Sequence, residues 1–295
     1  MKRRIILAGG TGFIGTYLKK RFEADGYDVV CISRGKQGVK WSDKERIVDA
    51  LENSEMLINL SGKSVDCRYS DTNKWKILTS RTETTILLHE MIKACSSPPP
   101  VWINFSTATI YQDSRIKPMT EEKGVLGDGF SEKVAKTWER VFFSERHSQV
   151  KQVALRTAIV IGDGGGALTP LRRLVKMGLG GKQGDGKQMV SWIHIEDVYR
   201  TILWVKEGKI SDTVINCSAP EPVNNEQFMK MLRKQYAISM GIPLPERLLK
   251  WGAFLIRTEP ELIMKSRWVV PERLLKSGFL FQFETIDSAL DSLQR

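Results

Sequence analysis

The sequence predicts an α/β protein: a doubly wound parallel sheet, followed by a smaller, mostly α-helical C-terminal part. Three observations lead there. The apolar run Arg4-Ile5-Ile6-Leu7-Ala8 breaks into glycines at positions 9, 10, 12 and 15, and a helical pattern then runs through Phe22. A second short run, Asp28–Ser33, follows about one strand–helix–strand unit later. Further runs at Met56–Leu60, Val101–Phe105 and Val153–Gly162 alternate with helical stretches, as buried strands joined by crossover helices do.

The first run and its glycines are the organising stretch. Glycine turns the chain sharply, lets backbone N–H groups approach a pyrophosphate, and packs helix against strand. The helix N-terminus then offers partial positive charge to the phosphates. Gly9, Gly10, Thr11, Gly12, Phe13, Ile14 and Gly15 are therefore expected to hold a dinucleotide, the alternative being a purely structural turn. The second strand ends in Ser33-Arg34-Gly35-Lys36, about twenty residues past the turn. NAD-preferring sites place an acidic residue there for the ribose hydroxyls. A guanidinium pairs instead with a 2′-phosphate, so Arg34 favours NADP(H) over NAD(H); otherwise it is a solvent-exposed loop arginine.

Composition narrows the classes. The chain of 295 residues is 41% hydrophobic and 27% charged, which is ordinary for a globular protein of one large domain, or one large and one small. Its net charge of +11 is spread evenly. Residues 1–150 carry 24 basic and 19 acidic side chains against 21 and 15 afterwards, so there is no basic arm for nucleic acid. Cys31, Cys67, Cys95 and Cys217 lie far apart with no Cys/His cluster in sequence, which argues against a metal site and a disulfide framework. No signal peptide and no membrane-length apolar run is seen, so a soluble, cytoplasmic protein is expected.

Ile47–Glu52 reads as a helix or a short strand with a turn. Asn59-Leu60-Ser61-Gly62 ends the next strand with small residues, which let a cofactor lie across it. Trp75–Cys95 reads as a long helix, closed by Pro98-Pro99-Pro100. The strand Val101–Phe105 then enters Ser106-Thr107-Ala108-Thr109-Ile110-Tyr111.

With that segment the chain resembles an extended short-chain dehydrogenase/reductase of the nucleotide-sugar epimerase type, a Rossmann-type fold. The resemblance puts Thr107 on the catalytic Ser/Thr position, Ser106 beside it and Tyr111 on the trailing tyrosine. It also implies that the Leu155-Arg156 strand passes near the nicotinamide, which makes Ser106 and Arg156 cofactor candidates. The family's Tyr-x-x-x-Lys helix, in which lysine lowers the phenol's pKa for proton shuttling, is missing. Its place holds Phe130 or Ser131, with Val134 or Ala135 where lysine would stand, and no tyrosine in the chain has lysine four residues on. Tyr111 is left as the nearby phenol.

Trp192-Ile193-His194-Ile195-Glu196-Asp197 resembles the Ile-His-Val-x-Asp signature of extended members. Asp197 is expected to cap a helix over 198–205 and His194 to brace the loop, with a general-acid role for His194 as the other reading. His89 and His147 are expected at the surface or its boundary. The Gly-rich loops and the tail narrow the resemblance to an atypical epimerase-like branch with a short C-terminal domain of unknown function. Residues 1–217 then form the dinucleotide-binding domain and 218–295 a small domain, either covering the substrate cleft as a lid or mediating a homodimer. A helix starting at Pro243-Leu244-Pro245 presents Leu248, Leu249, Ala253, Phe254 and Ile256 on one apolar face. Two functions follow: an oxidoreductase or epimerase acting on a sugar-nucleotide or related small-molecule carbonyl, or a non-catalytic NADP(H) sensor.

Overall fold

Successive residues of the first strand, β1 (Arg4–Ala8), point into different cores. Ile5 and Leu7 belong to one buried cluster, Ile6 and Ala8 to another, as a strand covered on both faces requires. The computed structural model describes residues 3–35, 38–249 and 264–293. In it β1 pairs with β2 (Asp28–Ser33) on one side and β4 (Met56–Asn59) on the other. β3 (Val39–Lys40) extends the β2 edge. On the other side lie β5 (Val101–Asn104), β6 (Lys151–Thr157) and β10 (Val214–Cys217). The seven strands are parallel in the order β10-β6-β5-β4-β1-β2-β3. Strand order reverses between β1 and β4, and in such sheets ligands bind at that switch point, beyond the carboxyl ends.

Helices α1 (Phe13–Ala24) and α6 (Ile195–Lys206) send Leu18, Phe22, Val198 and Ile202 into the first cluster, while α5 (Leu168–Lys176) sends Leu168 and Val175 into a separate one. Ile47, Leu88 and Phe142 enter the second from α2 (Lys44–Leu51), α3 (Asp71–Ala94) and α4 (Phe130–Phe142). The ambiguous stretch after Asp43 is thus a helix, capped by the Asp43 carboxylate accepting from Arg46 N–H at 3.2 Å. Asn225–Gln235 forms α7, with a full capping box from Asn224 and Gln227.

Three expectations are corrected. Val153–Gly162 is not one strand. The chain breaks at Ala158, so β6 stays in the main sheet while β7 (Ile159–Ile161) pairs with β9 (Trp192–His194), which follows the two-residue β8 (Met189–Val190). Asp197 does not cap its own helix. His194 is the N-cap, its Nδ1 accepting from Glu196 N–H at 3.2 Å, and α6 begins at Ile195. The Asp197 carboxylate instead accepts from the backbone N–H groups of Gln282 at 2.8 Å and Phe283 at 2.9 Å, tying the C-terminal segment to α6. His89 is buried, 2% exposed, because it packs edge-on against Trp102 in the second core.

The C-terminal residues are threaded into the main body. Leu274, Phe279 and Phe281 belong to the same cluster as Ile5 and Leu7, and Val269 bridges to Met119. Short helices cover Glu272–Lys276 and Ile286–Asp291. Lys36 and the apolar face named at Ala253, Phe254 and Ile256 lie outside the described residues.

His194 gives stability a pH dependence. Burial, opposed by Glu196 and Asp163, lowers its pKa to about 4, against about 6.5 unfolded. A depressed folded value means the stabilisation is complete above the unfolded value and is lost as pH falls toward 4. Urea denaturation at pH 7 and pH 5 is expected to show a drop, of which His194→Asn, keeping a cap acceptor without a titrating ring, removes up to about 2 kcal/mol.

Candidate functional site

The glycine turn forms a cradle that side chains could not enter. Gly9 sits at φ +77°, and a Cβ there would lie 2.6 Å from Ser61 Cα; one on Gly15 would lie 2.5 Å from the Gly10 carbonyl oxygen. Gly12 is the N-cap of α1, so no side chain caps that end, and the first turn carries no acidic residue. Exposed Thr11 and Gly12 thus open on unclaimed helix N–H groups, the donor set an anionic pyrophosphate needs. Phe13 and Ile14 turn their side chains toward the first core. The Phe13 ring is wrapped by the loop after β7, where a Cβ on Gly165 or Gly166 would meet it at 2.9 Å. Only the backbone of these two residues is left for a phosphate.

At the end of β2, Arg34 and Gly35 are exposed, and Gly35 N–H donates to Ser33 Oγ at 3.2 Å. Beyond β4, Leu60 and Ser61 back the cradle. Asn59 does not line the path as expected but lies beneath it, fully buried. Its amide donates to Asn104 Oδ1 at 2.8 Å and Thr85 Oγ1 at 3.2 Å, and its oxygen accepts from Ser61 N–H at 3.0 Å. Asn59 therefore shapes the turn that Gly9 packs on. Gly62 is exposed and leaves room for the Arg81 guanidinium, which a Cβ would meet at 2.9 Å.

A buried polar chain runs behind the candidate hydroxyl. Arg156 makes a two-point pair with Glu139 on α4, Nε to Oε1 at 2.9 Å and Nη2 to Oε2 at 2.7 Å. Ser106 Oγ donates to the same Oε1 at 2.5 Å. Arg156 Nη1 donates to the Tyr111 hydroxyl at 2.8 Å, which in turn donates to Asn216 Oδ1 at 2.9 Å. Burial works against the Arg156 charge, but Glu139 outweighs it and holds the guanidinium protonated.

These contacts correct three sequence expectations. Ser106 and Arg156 spend their polar atoms inside the protein, not on a cofactor. Tyr111, 0% exposed, presents no phenol to the cleft, and burial raises its pKa despite the nearby Arg156. Glu139, the hub of this chain, is one of several charges on an amphipathic helix, and no spacing in the sequence links it to Arg156.

Thr107 is different. It is half-buried at the carboxyl end of β5, where its Oγ1 accepts from Thr109 N–H at 3.1 Å and donates to Thr109 Oγ1 at 3.0 Å. The first turn of α4 carries Phe130 and Ser131, both half-buried, while Val134 and Ala135 are buried. Lys136 is paired with Asp128 at 2.7 Å. Tyr69, from the loop before α3, reaches this turn: its hydroxyl lies 3.3 Å from Ser131 Oγ and its ring stacks edge-on against Phe130 at 4.9 Å.

His194 Nε2 meets Ser292 Oγ at 3.2 Å and its ring lies 3.9 Å from that of Phe283, a brace between α6 and the C-terminal segment. On the far side of α3, His89 Nδ1 and His147 Nε2 lie 2.8 Å apart, and His89 Nε2 faces the Val141 carbonyl at 3.2 Å. With Glu145 they bring three metal-type ligand atoms within 4.8 Å, a grouping that the linear sequence does not display. The Glu145 carboxylate is paired with Lys93 at 2.6 Å.

Sheet order, cradle and crevice define a Rossmann-type doubly wound α/β protein. The model of the NAD dependent epimerase/dehydratase family matches residues 5–218, and that of a domain of unknown function (DUF1731) matches residues 244–293. The chain belongs to the NAD dependent epimerase/dehydratase family. It is 31% identical over 296 residues to the epimerase family protein SDR39U1 of Homo sapiens, covering 98% of this chain and 99% of that one. The epimerase family protein YfhF of Bacillus subtilis is 29% identical over 98% of this chain and 97% of its own. The crystal structure of human SDR39U1 (isoform2) with NADPH matches at a TM-score of 0.88, with 29% identity and 98% of each chain covered. Among the described residues no helix is long and apolar enough to cross a membrane.

The Glu139–Arg156 pair sets a measurable cost. Glu139→Ala leaves a buried guanidinium without its partner and is expected to cost about 3–5 kcal/mol in urea denaturation. Glu139→Leu combined with Arg156→Met, which removes both charges, is expected to recover most of that loss.

Proposed function

We propose that this protein binds NADP(H) and acts as an epimerase-like oxidoreductase on a sugar-nucleotide or related small-molecule carbonyl. The observation that carries the reading is the cradle: Gly9 and Gly15 cannot accept a Cβ, and α1 opens beside them without a side-chain cap. Backbone N–H groups from Gly10 to Ile14 take the pyrophosphate, and Ser61 and Gly62 line the path beyond β4. Arg34, exposed at the end of β2, takes the 2′-phosphate, where a carboxylate would repel it. That the human relative was crystallised with NADPH supports the same choice. The nicotinamide, when bound, supplies hydride-transfer chemistry. Thr107 Oγ1 supplies a hydrogen bond to the substrate's carbonyl oxygen by turning its O–H away from Thr109 Oγ1, to which it otherwise donates, while the Thr109 N–H bond to Thr107 Oγ1 is kept.

A second reading has its own observation. α4 carries neither tyrosine nor lysine at the family positions, and Tyr111 is sealed in the core, so a non-catalytic NADP(H) sensor also fits. Under either reading the protein works in the cytoplasm, alone or as a homodimer, without nucleic acid or membrane.

Nicotinamide fluorescence is expected to show tight NADPH and weak NADH binding. Arg34→Asp should weaken NADPH by tenfold or more and leave NADH unchanged, and Gly9→Ala should abolish both. No binding of either dinucleotide overturns both readings. A carbonyl panel then separates them: NADPH consumption lost about a hundredfold in Thr107→Ala marks an enzyme, and none in the wild type marks a sensor.

A further inference from the structure

We propose that His89, Glu145 and His147 form a binding site for a zinc-class divalent cation, which pins the C-terminal half of α3 to the turn after α4. The first observation is the ligand set. His89 Nδ1 and His147 Nε2 lie 2.8 Å apart, and one ligand atom from each of the three side chains falls within 4.8 Å of the others. No spacing announces the set, since the two histidines are 58 residues apart in the chain. Two imidazoles and a carboxylate are ligands that zinc accepts with water in the fourth position, at about 2.0–2.2 Å from each protein atom. Tetrahedral bonds of that length put ligand atoms about 3.3 Å apart, so the two nitrogens open slightly and the carboxylate closes in. Imidazole selects zinc, cobalt, nickel and copper over magnesium and calcium, which take oxygen ligands.

The second observation is the support behind His89. Its Nε2 lies 3.2 Å from the Val141 carbonyl oxygen, which can only accept, so the ring proton sits on Nε2. That leaves the Nδ1 lone pair facing His147. A backbone carbonyl on the far nitrogen is the outer partner that metal-binding histidines use to fix tautomer and orientation. The ring is 2% exposed and held edge-on by Trp102, with centroids 4.7 Å apart. His89 is thus the fixed ligand. Burial lowers the pKa of both imidazoles, so both are neutral at pH 7, the form that ligates. Without the cation His147 Nε2–H donates to His89 Nδ1; with it, the His147 proton moves to its own Nδ1, and no net proton is released.

The third observation is access. Glu145 and His147 are half-buried in the turn between α4 and β6, where Ser144, Arg146, Ser148 and Gln149 are exposed, so a hydrated cation enters from that side. The competitor is Lys93, whose ammonium lies 2.6 Å from the Glu145 carboxylate. Its side chain is 59% exposed and turns out to solvent when a divalent charge takes its place. His89 packs on Trp102 near the amino end of β5, whereas Thr107 follows the carboxyl end of that strand. The cation therefore sits at the opposite edge of the sheet from the cradle. Its role is structural and does not depend on the reaction proposed above.

The test is ¹⁵N NMR of the three imidazoles in untagged full-length protein freed of metal with EDTA. One equivalent of Zn²⁺ is expected to shift His89 Nδ1 and His147 Nε2 and to leave His194 in place, and excess Mg²⁺ to shift none. Calorimetry with Zn²⁺ then compares variants. Losing a ligand costs at least as much as losing an outer partner, about 10–100-fold, so His147→Ala and Glu145→Gln should each weaken binding tenfold or more. Lys93→Met removes the competing ammonium and should tighten it several-fold. Thermal unfolding in EDTA reports that each variant is folded. Zn²⁺ that leaves His89 and His147 unshifted, or that binds His147→Ala as tightly as the wild type, overturns the site and reduces the cluster to a histidine–histidine hydrogen bond.

Discussion

The carboxyl ends of β5, β6 and β10 are tied together through one buried ion pair. Glu139 belongs to α4 and Arg156 to β6, and their two-point contact fixes that helix against the strands. Ser106 at the end of β5 joins through Oε1, and Tyr111 and Asn216 extend the chain of contacts to β10. A buried pair of this kind gives little net stability over an apolar core, because both charges lose water. What it gives is placement. Each partner satisfies the other, so Thr107, next in the chain after Ser106, is carried on residues whose side chains are committed to one another.

That commitment separates the polar residues of the cleft into two kinds. Asn59, Ser106, Tyr111 and Arg156 are used up in holding the strand ends, and they look functional in sequence because families keep such groups near catalytic chemistry. Thr107, Arg34 and Arg81 retain hydrogen-bonding capacity or charge that no carboxylate among the described residues claims. The helix that serves as acid in related folds here gives its face to Phe130, Ser131, Val134 and Ala135. The Tyr69 ring and hydroxyl, from the loop between β4 and α3, rest on Phe130 and Ser131 of that helix.

The strands and the glycine cradle were legible in the sequence because their signals are local. Ile5-Ile6-Leu7 and Met56-Leu57-Ile58 are uninterrupted apolar runs, and a left-handed turn pressed against Ser61 admits little but glycine at position 9. The break at Ala158 was hidden, since an apolar run does not say which sheet each half will join. Asp197 looked like a helix cap because helix starts favour aspartate; its real partners, Gln282 and Phe283, are distant in sequence. The same holds for Glu139 with Arg156, for Tyr69 with Ser131, and for His89 with His147. Long-range pairings of polar side chains have no periodicity to read, and that is where the candidate site differs from its sequence reading.

The threading of the C-terminal residues bears on how the molecule is made. Leu274, Phe279 and Phe281 complete the core that Ile5 and Leu7 begin, and Val269 closes against Met119. These are contacts of very high sequence separation, whose loop entropy must be met before they contribute anything. A chain emerging from the ribosome amino end first therefore leaves the part of that cluster not covered by α1 and α6 exposed until residue 281 is synthesised. During that interval it carries exposed apolar surface of the sort that holdase chaperones recognise.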